Sequence, residues 1–135
     1  SAFATKFHFW SGGKYCAPST ISDANAPVRG IVALVSKEWA PFTIDIPTPL
    51  SPSNILHLRI LRPQGDYNVI GIYAPNSVGT QGEFFRALED KYDDLDNLII
   101  GGDFNSISNP QLDKIGGLKV PSGAHTALRD MSLSL

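Results

Sequence analysis

The sequence predicts an α+β fold in which helices cover mainly antiparallel sheets, and three observations support this class. Short runs of apolar and β-branched residues, the composition typical of strands, recur along the chain. A turn-forming segment joins two of these runs in the middle of the chain, which predicts a hairpin. The hydrophobic period then changes from strand-like to helical after Pro75. Strands bordered by helices describe layers in which helices cover sheets.

Irregular segments separate the predicted strands of the first half. Residues 4–10 alternate in polarity and predict a half-buried strand, whereas the small and polar residues 14–27 predict a surface loop. The continuous apolar run 30–35 predicts a strand covered on both faces. Prolines recur between residues 41 and 52, which predicts an irregular or edge connection.

The predicted hairpin pairs residues 55–61 with residues 67–73. Pro63 suits the second position of the intervening β-turn and Gly65 suits its last position. A further short apolar run at 97–102, which ends in glycines, predicts another strand.

Two helices are predicted in the second half. Residues 81–93 place Phe and Leu side chains at helical spacing and most charged side chains opposite, which is typical of an amphipathic helix. Thr80 is the predicted N-cap, with Glu83 completing a capping box. Residues 124–131 predict a final short helix.

The composition of the chain limits the classes of function that it can have. The chain has 135 residues, which suits one domain, and its 11 basic and 13 acidic residues exclude a generally basic coat for nucleic acid while leaving a local basic face open. The single Cys16 excludes an internal disulfide and a cysteine-based zinc site, and favours a reducing, intracellular compartment. No apolar run approaches the roughly 18 residues of a membrane span, so we expect no membrane partner.

Polar side chains follow two of the predicted strands where each one ends. Tyr73 and Asn76 follow one strand, and Asp103 and Asn105 follow another. On an extended backbone Asp103 and Asn105 would point to the same side, and the glycines before them would let a bulky substrate approach. A carboxylate can accept a proton or hold Mg²⁺, and an amide can donate to a phosphoryl oxygen. The spacing alone also fits ordinary turns, which leaves that alternative open.

These segments resemble the endonuclease/exonuclease/phosphatase superfamily. The resemblance rests on Tyr73-Ala74-Pro75-Asn76, on Gly101-Gly102-Asp103-Phe104-Asn105 with the preceding strand, and on the strand from Arg29 to Val35. Within the superfamily the likeness is closest to the endonuclease domains of non-LTR (LINE-type) retrotransposons. There a helix with paired Phe and a Leu-Asp-basic triplet recur, and Leu112-Asp113-Lys114 fits the triplet. The likeness covers about residues 28 to 131.

The resemblance implies a four-layer α/β sandwich with two facing sheets that hydrolyses DNA phosphodiesters with Mg²⁺. It implies that Asp103 orients or deprotonates the attacking water, that Asn105 holds the phosphate and stabilises its transition state, and that both residues ligate the metal. It further implies that Tyr73 donates to a phosphate oxygen and that Asn76 positions Asp103 or the phosphate. Asp113 is expected to be structural. DNA is the expected partner, and the nucleus is one candidate compartment.

Two motifs of the family are not found in the sequence. These are an early Gln-Glu-Thr-like segment with a metal-binding Glu and a closing Ser-Asp-His segment; Glu38 lies in a different context, after the central strand. The chain also begins with Ser1 rather than Met. We therefore expect residues 1–135 to be an incomplete domain, cut short at both ends, and expect these residues alone to be inactive.

Other functions remain open at this point. One is another phosphoesterase of the superfamily, such as an abasic-site nuclease or a phosphatase of inositol phosphates or sphingolipids. Against the inositol branch, Asn105 is followed by Ser106 and Ile107 rather than by Arg. The other is a non-catalytic remnant that binds DNA weakly or not at all.

Overall fold

The computed structural model describes residues 11–17, 20–21, 27–28, 30–48, 53–105 and 123–134. Over these residues the elements are the strands β1 (Gly13–Ala17), β2 (Thr20–Ile21), β3 (Pro27–Val28), β4 (Ile31–Val35), β5 (Thr43–Ile46), β6 (Ile55–Ile60), β7 (Tyr67–Tyr73) and β8 (Leu98–Asp103), and the helices α1 (Val78–Tyr92) and α2 (Gly123–Ser134). A single 3-10 turn, Ala40–Phe42, precedes β5. The strand predicted at residues 4–10 lies outside the described residues.

The described strands form three sheets that are mainly antiparallel. β1 pairs with β4, β2 pairs with β3, and a third sheet has the order β5-β6-β7-β8. The hydrogen bonds from Asn68 N–H to the Asn97 carbonyl and from Ala74 N–H to the Asp103 carbonyl advance in the same direction, so β8 runs parallel to β7. α1 is the connection between these two strands. This mixture of sheets and helices is the α+β class that the sequence predicts.

The described residues fall into two compact units. The first contains the residues up to Tyr73 together with residues 96–102. In this unit the β1–β4 sheet packs against one face of the larger sheet, as in a sandwich. The buried residues of this layer are Ala17, Leu56 and Leu58, and Tyr15, Ile31, Ala33 and Val35 pack against them.

The predicted hairpin is confirmed as β6 and β7. Burial alternates along β7, where Ile70 and Ile72 are buried and pair with His57 and Ile55 across the strands. The Gly65 N–H donates to the Arg62 carbonyl at 3.2 Å and closes the turn. Gly65 has a φ of 121°, a conformation that only glycine adopts readily, which explains this residue at the end of the turn.

The second unit contains Ala74–Leu95, residues 103–105 and α2. Its two helices pack together through apolar side chains. The buried ones are Phe84, Phe85, Leu88 and Tyr92 from α1, and Ala127, Leu128 and Met131 from α2. Both predicted helices are therefore confirmed, since the 3.6-residue period of their apolar side chains suits one buried face.

The predicted start of α1 is wrong. The N-cap is Ser77, and its side chain makes no capping hydrogen bond. Thr80 lies inside the first turn, where its Oγ1 donates back to the Ser77 carbonyl at 3.1 Å. At this place the threonine hydroxyl donates to a backbone carbonyl instead of accepting a hydrogen bond from an unpaired N–H at the start of the helix. The capping box therefore does not form.

The surface loop predicted for residues 14–27 is also wrong in part. Lys14 to Ala17 belong to β1, which pairs in register with β4 from Gly13 opposite Val35 to Ala17 opposite Ile31. β4 in turn is not covered on both faces, because Leu34 is 39% exposed on a two-stranded sheet. The proline-rich segment contains β5, an edge strand as predicted.

No helix in the described ranges is long and apolar enough to cross a membrane.

Candidate active site

Asp103 and Asn105 form a tight turn at the end of β8. The Asn105 N–H donates to Asp103 Oδ1 at 2.9 Å, the bond that defines an Asx turn. Asn105 has a φ of 46°, in the left-handed region that asparagine tolerates better than most residues. The expectation that both side chains share one side of an extended backbone is therefore wrong, because the strand ends at Asp103.

The backbone of Ala74 holds both ends of this turn. The Ala74 N–H donates to the Asp103 carbonyl at 2.8 Å. Asn105 Nδ2 donates to the Ala74 carbonyl at 2.6 Å. One N–H of the Asn105 amide is thus engaged, and no hydrogen bond between described residues occupies its second N–H or its oxygen Oδ1.

Gln81, in the first turns of α1, holds the same region from the buried side. Its Nε2 donates to the Pro75 carbonyl at 2.7 Å and to the Asn105 carbonyl at 2.7 Å. Gln81 is only 3% exposed. Sequence reasoning missed this residue, although Gln81 continues the buried stripe of Phe85, Leu88 and Tyr92, where a polar residue is unexpected.

Phe104 anchors the turn between its two polar residues. Its ring lies 6.4 Å from the ring of Phe85, measured between centroids, with a tilt of 33°. Phe85 is fully buried on α1, and Phe84 contacts it edge to face at 5.8 Å. Asp103 and Asn105, on either side of this apolar anchor in the chain, are both exposed.

Tyr73 and Asn76 flank Ala74 and Pro75 in the chain. Tyr73 is the last residue of β7 and is half-buried. Its N–H donates to the Asn54 carbonyl at 2.9 Å, and its carbonyl accepts the Asn54 Nδ2. Asn54 is buried and was missed by sequence reasoning. Asn76 is exposed, and no hydrogen bond between described residues joins its side chain to Asp103.

The two glycines before Asp103 differ in their surroundings. A Cβ on Gly102 would clash with the Ile72 carbonyl oxygen, and Gly102 has a φ of 139°. The packing of the chain itself therefore requires glycine there. A Cβ on Gly101 would meet nothing within 4 Å, so only this glycine leaves open space at the surface.

The exposed groups of the turn are hard oxygen donors. Asp103 supplies a carboxylate whose Oδ1 is fixed by Asn105, and Asn105 supplies an amide oxygen. Mg²⁺ is often held by only one or two carboxylates together with waters and phosphate oxygens, so these two residues suit part of its coordination shell. Within the described ranges no group of three or more His, Cys, Asp or Glu is placed to hold a metal. Asp113 and the triplet around it lie outside the described residues.

Comparisons with known proteins give one informative similarity. No protein-family model matches the chain. The chain is similar to a protein of Xenopus laevis described as "Transposon TX1 uncharacterized 149 kDa protein", with 35% identity over 79 residues. The match covers 56% of this chain and 6% of that protein. The chain thus spans a small fraction of the length of this transposon-encoded relative.

Proposed function

We propose that this chain is part of a retrotransposon-type endonuclease domain that hydrolyses phosphodiester bonds of DNA with Mg²⁺. The observation that carries the proposal is the fixed geometry of Asp103 and Asn105. Both are exposed, yet their backbone is held by Ala74 and Gln81. Polar groups that are held in place before the substrate binds are what catalysis of phosphoryl transfer requires.

The two side chains have complementary chemistry. Asp103 Oδ1 accepts the Asn105 N–H, which leaves Oδ2 for an attacking water or a hard cation. The second N–H of the Asn105 amide can donate to a phosphate oxygen without adding negative charge. A bound Mg²⁺ would neutralise charge that develops on the phosphate. In this proposal Tyr73 and Asn76 donate to the same phosphate.

Two similarities in sequence support DNA as the proposed substrate. The ordered motifs at the ends of β7 and β8 resemble those of retrotransposon endonucleases. The Xenopus relative is described as a transposon protein, and transposition acts on DNA. The wider sandwich architecture of the family and an intracellular site of action belong to the same proposal.

The proposal is tested with the longest translated product that contains this chain, incubated with supercoiled plasmid and Mg²⁺. We expect nicking that requires Mg²⁺ and that falls at least about 100-fold in Asp103→Asn, because the amide keeps an acceptor for Asn105 but loses the charge. Asp94→Asn is the matched control, since Asp94 is an exposed carboxylate just beyond the end of α1. Equal nicking by Asp103→Asn and by the wild type would reject the proposal.

The same preparation distinguishes the substrate branches. A plasmid, an abasic duplex and a soluble phosphate monoester are offered in parallel. Retrotransposon-type activity predicts cleavage of intact plasmid. Selective cleavage of the abasic duplex or the monoester would instead place the chain in another branch of phosphoesterases.

A further inference from the structure

We infer that Gln81 is a positioning residue of the proposed active site, which acts by fixing the backbone of Asn105. This inference rests on the proposed function. In the proposed reaction Gln81 contacts neither the phosphate nor the metal. Its side chain donates to the carbonyls of Pro75 and Asn105.

The burial of Gln81 makes these contacts strong and specific. An amide transferred out of water is costly unless it is hydrogen-bonded, and Gln81 is 3% exposed. Both of its bonds are 2.7 Å long and use the two N–H groups of one nitrogen. The stem of the side chain is fixed by α1, because Phe85 and Leu88 bury the same face of the helix.

Gln81 completes the constraints on Asn105. The Asn105 N–H is held by Asp103, its side chain by Ala74, and its carbonyl by Gln81. The first two bonds leave the orientation of the Asn105 carbonyl unfixed. Without the Gln81 donor, the left-handed backbone of Asn105 can relax, and the amide that faces the phosphate turns with it.

Gln81 also joins two segments that are distant in sequence. Pro75 is the second residue after β7, whereas Asn105 lies 24 residues beyond Gln81. Ala74 joins the two segments that carry the proposed catalytic groups through two hydrogen bonds, and Gln81 adds a further connection between them from α1. A misplacement of about 1 Å in such a group can lower a rate about 100-fold.

The first test is structural and needs no activity. Gln81→Met keeps the approximate length of the side chain and removes both donors; Gln81→Leu also removes them and likewise places no charge in the buried site. In ¹⁵N-labelled chain, we expect the Asn105 backbone and side-chain signals to shift or broaden in each folded variant. Gln64→Met, at an exposed turn residue, is the control and should leave them unchanged. Unchanged Asn105 signals in the Gln81 variants would overturn the inference.

The second test separates positioning from binding. In the longest translated product, we expect Gln81→Met to lower kcat for plasmid nicking about 10- to 100-fold and to leave KM within about two-fold. A rise in KM at constant kcat would overturn the inference. Absence of nicking by the wild-type protein would reject the proposed function instead, and the Asn105 signals would still decide the role of Gln81.

Discussion

The side-chain amide of Asn105 donates to the backbone carbonyl of Ala74 at 2.6 Å. This bond joins the second residue after β8 to the residue that follows β7. An asparagine that acts only as a turn former would need no partner 31 residues away. The bond therefore distinguishes a held polar group from an ordinary loop asparagine.

Asn105→Asp should abolish this donor while keeping a residue that tolerates the left-handed conformation. We expect a loss of about 1–3 kcal/mol in the free energy of unfolding, because a carboxylate then faces a carbonyl oxygen. We also expect at least about a 10-fold loss of plasmid nicking. Urea denaturation and the nicking assay measure the two effects.

Asn97→Asp is the matched control for that prediction. Asn97 precedes β8, has a φ of 50°, and donates to the Asp66 carbonyl at 3.2 Å. Its replacement should cost stability but leave nicking intact. Equal loss of nicking in both variants would show that Asn105 acts only through stability.

Gly102→Ala should destabilise the fold strongly. The added Cβ would clash with the Ile72 carbonyl oxygen, and the positive φ disfavours alanine. We expect a loss of about 2 kcal/mol or more in the free energy of unfolding, measured with urea. Gly101→Ala is the neighbouring control and should change it by less than about 0.5 kcal/mol, because its Cβ meets open space. Similar values for the two variants would contradict the close packing of β7 and β8.

Asn54→Ala and Asn76→Ala should distinguish a residue that stabilises the fold from one that acts in nicking. The variant leaves the Tyr73 carbonyl without the donor it has from Asn54 Nδ2, at a buried position. We expect the free energy of unfolding to fall by about 1–3 kcal/mol. Asn76→Ala, at an exposed position, should change it by less than about 0.5 kcal/mol yet reduce nicking. A stability loss at Asn76 larger than at Asn54 would contradict these assignments.

Tyr92 should make the fold sensitive to alkaline pH. Burial raises the pKa of Tyr92 from 10.0 to about 12. Since the unfolded phenol ionises first, the stability contribution is complete below pH 10 and is lost as the pH rises through about 12. This difference in pKa between the unfolded and folded states corresponds to about 2–3 kcal/mol in the free energy of unfolding.

In Tyr92→Phe, the free energy of unfolding should decrease less between pH 10 and pH 12 than in the wild type, as measured by urea denaturation at each pH. Tyr67→Phe, at a half-buried position of β7, should keep the fall. An unchanged slope in Tyr92→Phe would show that the buried phenol is not its source.

The sequence predicts the elements whose signals are local. The hairpin of β6 and β7 has its turn residues between its strands, and α1 carries its apolar period within itself. β1 was not predicted, because its small and polar residues form a strand only by pairing with β4. The position of α1 was predicted, but its N-cap was not, because the spacing of Thr80 and Glu83 fits a capping box that does not form.

In the candidate site, too, the residues with a local sequence signal were predicted and those with distant contacts were not. Asp103 and Asn105 were found from a short motif, and their exposed turn is consistent with a site. Asn54 and Gln81 were not found, because the carbonyls of Tyr73 and Asn105 to which they donate lie 19 and 24 residues away along the chain. A hydrogen bond to a distant backbone carbonyl leaves no local pattern, although the amide of Gln81 on an apolar helix face is a usable signal.

The most direct test of the central claim is the binding of Mn²⁺, a paramagnetic substitute for Mg²⁺, to the ¹⁵N-labelled chain. We expect Mn²⁺ to broaden the signals of Asp103 and Asn105 at the lowest concentrations, and we expect Asp103→Asn to remove this effect while Asp94→Asn keeps it. Broadening centred instead on the acidic segment 89–96, with the Asp103 and Asn105 signals unchanged, would contradict it.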